Sequence, residues 1–325
     1  TDNGGTVIKP TAVSGAGRWL AVNSNNINVK QFGANGNAIV DDTSFIQAAI
    51  DFAASNGLVV NVPKGNYAIF TTITLKQGVS LIGEKTNPYN AAAYYPSIIT
   101  HLPISANTDL FALETPATPT SYVTCGGVEN LFIVGSNNTR YAFNLTNPLG
   151  ARFKNIGTSQ AFSSVIALKG QLNCYFSDFR ISNTSATQMS AAILMRSYNG
   201  EMYGTTCTFE RFYISGTLTA SAGGILNAFK AEPAASNSVS INNFIVESIT
   251  GITFNISKGN EVVVKNLYTE NVPNANVSTP VFEVGVTGAA APNNAYDTIT
   301  SLSILDCALI GQYRQGAATN TVLIN

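Results

Sequence analysis

The sequence predicts an all-β fold, a right-handed single-stranded parallel β-helix (solenoid) with one N-terminal capping α-helix. Three observations lead there: a single amphipathic helical stripe near the start, a six-residue pattern that returns at solenoid spacing through the rest, and a polarity supplied by small uncharged side chains. The 325 residues are 45% hydrophobic but only 11% charged, where charged residues make up about a quarter of an ordinary globular chain. Asn, Ser, Thr and Gly supply the missing polarity. That composition suits long ladders that satisfy the backbone and turns that need small polar residues.

Residues 1–26 read as a Gly/Asn/Ser-rich neck or lead-in with one apolar piece at Trp19-Leu20-Ala21-Val22, and 27–325 as the β-helix domain. Ile27-Asn28-Val29-Lys30-Gln31-Phe32-Gly33 alternates with period two, like a strand. Asp41-Asp42-Thr43-Ser44 offers N-cap residues ahead of Phe45, Ile46, Ala49, Ile50 and Ala53, which share one helical stripe, and Asn56-Gly57 supplies a stop. The capping helix is therefore expected at about 42–56. Strands follow over 58–62, 67–75, 79–82, 98–102 and 110–113, with a turn at Pro63-Lys64-Gly65-Asn66.

An internal repeat then carries the argument. A pattern of apolar-x-x-[Leu/Phe/Ile]-x-[apolar or Thr] begins at Val128, Phe153, Phe176, Phe209, Ile241, Val264 and Ile299, at intervals of 25, 23, 33, 32, 23 and 35 residues. A minimum near 23 with insertions of about ten suits a solenoid whose coils carry loops. The Leu-x-x-Leu-x-Leu-x-x-Asn string of leucine-rich repeats is missing, and no second amphipathic stripe follows each unit, so a β-helix remains. The third position of each copy reads Asn130, Asn155, Asp178, Arg211, Asn243, Asn266 and Ser301. Equivalent positions stack about 4.8 Å apart on successive coils, and asparagine there bonds its amide to its neighbours and tolerates left-handed backbone. Asp178 and Arg211 are read as a charged substitute within this structural ladder. Cys174 and Cys207, each two residues before a repeat start, are read as stacked buried thiols and not as a disulfide.

The stretch from Ile27 to Gly83 resembles the opening of the pectate-lyase-like β-helix superfamily. The residues that carry the likeness are Asn28-Val29-Lys30-Gln31-Phe32-Gly33-Ala34, Asp41-Asp42-Thr43, Ile46-Gln47-Ala48-Ala49-Ile50, Val59-Val60-Asn61-Val62-Pro63-Lys64-Gly65-Asn66-Tyr67 and Val79-Ser80-Leu81-Ile82-Gly83. The resemblance implies a helix that caps the open first coil. The lead-in, Asp2-Asn3-Gly4-Gly5-Thr6-Val7-Ile8-Lys9-Pro10 through Gly17-Arg18-Trp19-Leu20, is similar to the neck before the β-helix in phage tailspikes and capsular depolymerases. That likeness implies a homotrimer, a virion-tail or extracellular location and a bacterial surface polysaccharide, capsule or lipopolysaccharide, as partner. The sequence ends at Thr321-Val322-Leu323-Ile324-Asn325 inside what reads as a strand, so either a partner closes the last coil or the chain has been cut.

Composition excludes several chemistries. A formal net charge of −1 gives no basic footprint for nucleic acid, no apolar run reaches the roughly 18 residues that span a bilayer, and Thr1-Asp2-Asn3 shows no charged segment followed by an apolar stretch, so export is expected to use another route or a signal already removed. One histidine, His101, and four scattered cysteines suggest neither a metal site nor a cofactor. Polygalacturonases of the superfamily use Asn-Thr-Asp, an adjacent Asp pair, Gly-His-Gly and Arg-Ile-Lys. The only Asp pair here is Asp41-Asp42, which the helix cap explains, and His101 lacks flanking glycines. The clustered carboxylates of calcium-dependent pectate lyases are missing as well.

Glycoside hydrolysis needs two carboxyl groups, about 5–5.5 Å apart for retention or about 6.5–9.5 Å for inversion. Glu247 and Glu270 occupy the same repeat position, six residues after Ile241 and Val264, on coils with no insertion between them. They are the expected catalytic pair, outward-facing and close enough for like charges to push one toward its protonated form. Two carboxylates that merely repel in water satisfy the same spacing. Four residues after each start come Phe132, Arg180, Tyr213, Ile245 and Tyr268. Arg180, Tyr213 and Tyr268 are the expected substrate-binding groups, and outward Phe132 and Ile245 call for cover by a trimer neighbour. Glu201, Glu210 and Glu232 are weaker candidates. The functional expectation is a tailspike-type protein that binds and degrades a surface polysaccharide. A non-catalytic attachment or structural protein of the virion, and a cellular polysaccharide lyase or hydrolase, stay open beside it.

Overall fold

The computed structural model describes 7–8, 19–20, 25–84, 95–160, 162–183, 185–196, 204–216, 223–232, 237–257, 260–270, 280–284, 302–307, 312–315 and 323–324. From 25 onward the chain winds into a right-handed parallel β-helix. Its strands fall into one run of sixteen and one of nine, in which each strand pairs with its counterpart on the next coil. The regular coils are written in the longest strands, Leu172–Ser182, Thr205–Ser215, Asn237–Glu247 and Asn260–Glu270. Each bends at a left-handed residue, Asp178, Arg211, Asn243 or Asn266, with φ of 53–58°, and again five residues earlier at Asn173, Thr206, Ser238 or Glu261. The long sheet thereby folds into two flat faces, and the nine-stranded sheet closes the third. The bend needs a side chain that stabilises left-handed backbone, a conformation that costs an ordinary L-residue about 1–2 kcal/mol. Asn155 donates to Asn130 Oδ1 at 2.7 Å and Asn266 to Asn243 Oδ1 at 3.0 Å, so the expected amide ladder is present.

Register follows the repeat. Phe153, Phe176, Phe209, Ile241 and Val264 are successive partners, as are Ile156, Phe179, Phe212, Phe244 and Leu267. All are buried and point inward. Rings stack up the axis: Phe179 on Phe212 at 4.8 Å and 1°, Phe212 on Phe244 at 4.8 Å, Phe176 on Phe209 at 5.3 Å. The third face adds Phe111 on Phe143 and Phe254 on Phe282. Burying one such side chain contributes roughly 1.5–3 kcal/mol, and a ring pair about 0.5–1.5 kcal/mol beyond that. Cys174 and Cys207 are partners on adjacent strands, buried and unbonded. Burial raises the Cys174 thiol to about 11.

The capping helix runs Thr43–Asn56 and seats Ile46, Ala49, Ile50 and Ala53 on the first coils; Gly57 in left-handed conformation ends it. Asp42 stands at the N-cap position, yet its carboxylate caps no helix amide. Buried, it accepts from the Asn35 and Gly36 amides at 2.6 and 3.0 Å, which pins the preceding loop, while Asp41 accepts from Thr43 N at 2.9 Å.

Four expectations change. The alternating run from Ile27 to Gly33 is a short strand, Asn26–Asn28, followed by a 3₁₀ turn, Val29–Phe32. Asn28 and Gln31 form a reciprocal capping box there, and Gly33, at φ 106°, stops the turn. The stretch 67–75 splits into Gly65–Ile69 and Ile73–Leu75 on different faces, because one coil must turn a corner between them. The coil after Val264 starts at Ile304 and not Ile299: Val264 pairs with Ile304, the left-handed ladder residue is Asp306, and Ile304 pairs in turn with Ile324. Ile299 and Ser301 lie outside the described residues. Phe132, expected outward and in need of cover, is buried under Tyr95, ring centroids 5.3 Å apart. Within the lead-in, Val7–Ile8 and Trp19–Leu20 pair antiparallel.

Candidate functional site

The outer wall of the second flat face carries the side chains four and six residues after each repeat start, because +3 and +5 point inward beyond the bend. Its columns run along the helix axis. One reads Phe132, Gly157, Arg180, Tyr213, Ile245, Tyr268; the other ends in Ser215, Glu247, Glu270. Glu247 and Glu270 are in-register partners, so their backbones are one strand spacing apart, about 4.8 Å.

Each glutamate is held by a tyrosine hydroxyl. Tyr213 donates to Glu247 Oε2 at 2.6 Å and Tyr268 to Glu270 Oε2 at 2.8 Å. Both phenols are raised: Tyr213 first by burial and then by its bond to Glu247, Tyr268 first by its bond to Glu270. The two couples differ in setting. Tyr213 reaches across to the next coil and is half-buried, while Tyr268 is 38% exposed and bonds within its own strand. Arg180 lies over the Tyr213 ring with its guanidinium carbon 4.2 Å from the centroid. That ring face is thereby occupied by a cation, so Tyr213 is no free platform for a sugar; Tyr268 and Ile245, 42% exposed, are the open apolar groups of the column.

At the bend beside this column a cleft of about 290 Å³ opens, lined by Asp178, Arg180, Arg211, Tyr213, Asn243 and Ile245 over a floor of Phe179 and Phe212. Arg211 grips Asp178 through two bonds, Nε to Oδ1 at 2.6 Å and Nη2 to Oδ2 at 3.0 Å, and also pairs with Glu210, which accepts from Tyr175 as well. The Arg211 bond holds the Asp178 carboxyl below its ordinary range, and the Arg211 guanidinium is raised in turn by Asp178. The charged substitution in the ladder is thus a true ion pair that also walls the cleft.

Sequence reasoning brings Glu247, Glu270, Tyr213, Tyr268 and Arg180 to one wall, and the structure places them there. The glutamates do not line the cleft itself; Tyr213 joins the two. Sequence reasoning misses Tyr175 and Tyr95. Tyr175 sits at an outward position readable from the register, but Tyr95 comes from a stretch outside the repeat and has no sequence signal. Glu210 is tied into the ion-pair network, Glu232 lies beyond the third face, and Glu201 lies outside the described residues. His101 is fully buried and bonded through Nδ1 to Thr139 at 2.9 Å, so it does not face the outer wall where a substrate would lie; burial lowers it to about 4. Among the described residues no three His, Cys, Asp or Glu side chains gather as metal ligands.

Residues 26–278 match the model of the family described as rhamnogalacturonase A/epimerase, pectate lyase-like. The chain belongs to this family. Comparison with curated proteins gives no match. Solved structures share the fold. The tailspike protein of Acinetobacter baumannii phage AM24 is 11% identical with a TM-score of 0.54, over 98% of this chain and 48% of that one. The tailspike gp49 of A. baumannii bacteriophage Fri1, a capsular polysaccharide depolymerase, is 14% identical with a TM-score of 0.50, over 97% and 69%. The iota-carrageenase of A. fortis is 15% identical with a TM-score of 0.50, over 75% and 55%. The chain thus spans about half of the AM24 tailspike.

Proposed function

We propose that this pectate-lyase-like chain is the β-helix of a tailspike-type protein that binds a bacterial surface polysaccharide and cleaves it, with Glu247 and Glu270 as the acid–base pair. One observation carries the reading: two glutamates in register on adjacent coils, each hydrogen-bonded by a tyrosine, beside a cleft on the outer wall. In such a pair one carboxylic acid protonates the leaving glycosidic oxygen, and the other acts as nucleophile or activates water. One strand spacing between the backbones is compatible with the retaining separation of about 5–5.5 Å. Along the column Ile245 and Tyr268 offer the open apolar surface for a glycan laid along the helix axis, while Arg180 and Tyr213 border it through their polar edges. Fold likeness to two tailspikes supports the phage assignment.

The reading includes a homotrimer on the virion tail, residues 1–26 as its neck and 27–325 as its β-helix domain. The exposed Ile39, Val40, Leu102 and Ile104 favour assembly; sedimentation as a clean monomer would refute it. The functional test incubates purified protein with capsule and lipopolysaccharide from candidate hosts. New reducing ends without the ultraviolet absorbance of an unsaturated sugar, lost in Glu247→Gln and Glu270→Gln by about 10²- to 10⁴-fold, are expected. Rising absorbance means elimination and removes the glutamate pair from the chemistry. Binding with neither signal makes this an attachment protein.

A further inference from the structure

We infer that Arg180 is a positioning residue: through the Tyr213 ring it holds Glu247 as the nucleophile of the pair and leaves Glu270 as the acid. The inference deepens the proposed function and rests on its acid–base pair.

Four successive coils carry the chain of contacts. Arg180 stands on Leu172–Ser182, Tyr213 on Thr205–Ser215, Glu247 on Asn237–Glu247 and Glu270 on Asn260–Glu270. The guanidinium carbon of Arg180 lies 4.2 Å from the Tyr213 centroid, and the Tyr213 hydroxyl donates to Glu247 Oε2 at 2.6 Å on the coil beyond. Arg180 stays on the ring because the acids beside it are taken. The carboxylates of its own strand and of the next, Asp178 and Glu210, are both held by Arg211.

A cation over an aromatic ring is attracted by the negative face of the π system. It draws electron density from the phenol and makes the O–H a stronger donor. Burial raises the Tyr213 phenol first and Glu247 raises it further, while Ser215 and Arg180 act against the rise. A hydrogen bond to the anionic form of a carboxyl group favours that form, so the polarised phenol steadies Glu247 as an anion. The second couple lacks this support. Tyr268 is 38% exposed and bonds Glu270 within its own strand at 2.8 Å, and among the described residues no cation covers its ring. Two carboxylates on paired positions oppose each other's charge, so the difference between their tyrosines decides which one carries the proton.

The roles follow from this asymmetry. Tyr213 occupies Glu247 Oε2 and leaves Oε1 to bond the anomeric carbon. As that bond forms, the bond from the anomeric carbon to the leaving oxygen breaks, and this oxygen takes the proton of Glu270. Water then displaces Glu247 from the anomeric carbon and returns a proton to Glu270.

The first test needs no substrate. Intact protein labelled with ¹³Cζ-tyrosine is titrated by NMR, the Tyr213 signal being assigned by its loss in Tyr213→Phe. Arg180→Gln, checked for unchanged far-ultraviolet dichroism, should move the Tyr213 titration upward by about half a pH unit and leave Tyr268 in place. Glu247→Gln should move it downward, Arg180→Lys should stay nearer the parent, and Arg152→Gln, an exposed cation on the neighbouring face, should change nothing. On a capsule or lipopolysaccharide that the protein cuts, Arg180→Gln should lower kcat about 10-fold with KM held. Azide should then give a glycosyl azide of inverted configuration with Glu247→Ala and of retained configuration with Glu270→Ala. A Tyr213 titration unmoved in Arg180→Gln, or moved as far in Arg152→Gln, would overturn the inference whether or not a glycan is cut. A raised KM at unchanged kcat would make Arg180 a substrate contact and overturn it too, as would the converse azide products, and both would leave cleavage itself standing. Coupling of Arg180 to Tyr213 in a protein that cuts no capsule or lipopolysaccharide would overturn the acid–base pair, and the role of Glu247 with it.

Discussion

Truncating Phe212 tests whether the interior column is what holds the coils in register. Phe212 is 1% exposed and stacks between Phe179 and Phe244 at 4.8 Å on each side, with Phe209 edge-on at 6.0 Å. Phe212→Ala removes a buried ring, which costs about 3–5 kcal/mol once the cavity left behind is included. The upper half of that range is expected, since three ring contacts go at once and stacked neighbours on fixed strands cannot collapse into the gap. With roughly 2.1 cal/mol/K of unfolding entropy per residue and 325 residues, a loss of about 4 kcal/mol lowers Tm by about 6 °C. Phe212→Leu, which refills most of the volume, should lose roughly a third of that. Scanning calorimetry at fixed scan rate, with a reheating check for reversibility, measures both. Because Phe212 also floors the cleft, Phe212→Ala should weaken glycan binding while Phe244→Ala, buried in the same column one coil along, should not. A Tm drop under about 1.5 °C for Phe212→Ala would refute the column as a main source of stability.

The ladder, the buried histidine, the ion pair and the thiols give four further tests. Asn155→Ala should cost about 1–2 kcal/mol, combining a lost 2.7 Å bond with left-handed strain, and Asn155→Gly should cost less because glycine accepts φ of 55°; equal losses in urea titrations would argue against strain. His101 is lowered to about 4, so the unfolded chain binds its proton first as pH falls. Stability from this group is complete above about pH 6.5 and declines between there and pH 4. His101→Gln should flatten that slope. Asp178 is depressed by Arg211, so the pair stabilises above the ordinary carboxyl value of 3.8 and is lost as pH falls below it. Arg211→Gln should therefore differ from the parent at pH 6 and converge with it in acid. Buried Cys125, Cys174 and Cys207, with thiols raised by burial, should resist a thiol reagent in the native protein and react on unfolding.

The candidate site was legible wherever it lay on the repeat. Glu247 and Glu270 share a coil position, and counting six residues from Ile241 and Val264 is enough to set them side by side. Arg180, Tyr213 and Tyr268 fall on one column by the same count. Their engagement was not legible. A count places Cα atoms; it does not say that Arg180 covers the Tyr213 ring or that each tyrosine turns its hydroxyl to a glutamate, since those choices depend on rotamers set by the coils on either side. Phe132 shows the limit. Its position reads as outward, and it is, but Tyr95 arrives from outside the repeat and buries it.

By itself the sequence determined the architecture: a parallel β-helix with a capping helix, its coils marked by a returning apolar pattern and its bends by asparagine. These features are local, because period-two alternation, left-handed tolerance and a helical stripe each act within a few residues. Tertiary structure decided what local rules leave free. Across a long insertion the coil could resume at Ile299 or at Ile304, and pairing with Val264 selects Ile304. Asp42 could cap its own helix, but two loop amides compete for its carboxylate and win it. The cleft is likewise non-local. Asp178, Arg211 and Asn243 stand 33 and 32 residues apart in the chain, and one bend repeated on successive coils brings them to a common wall.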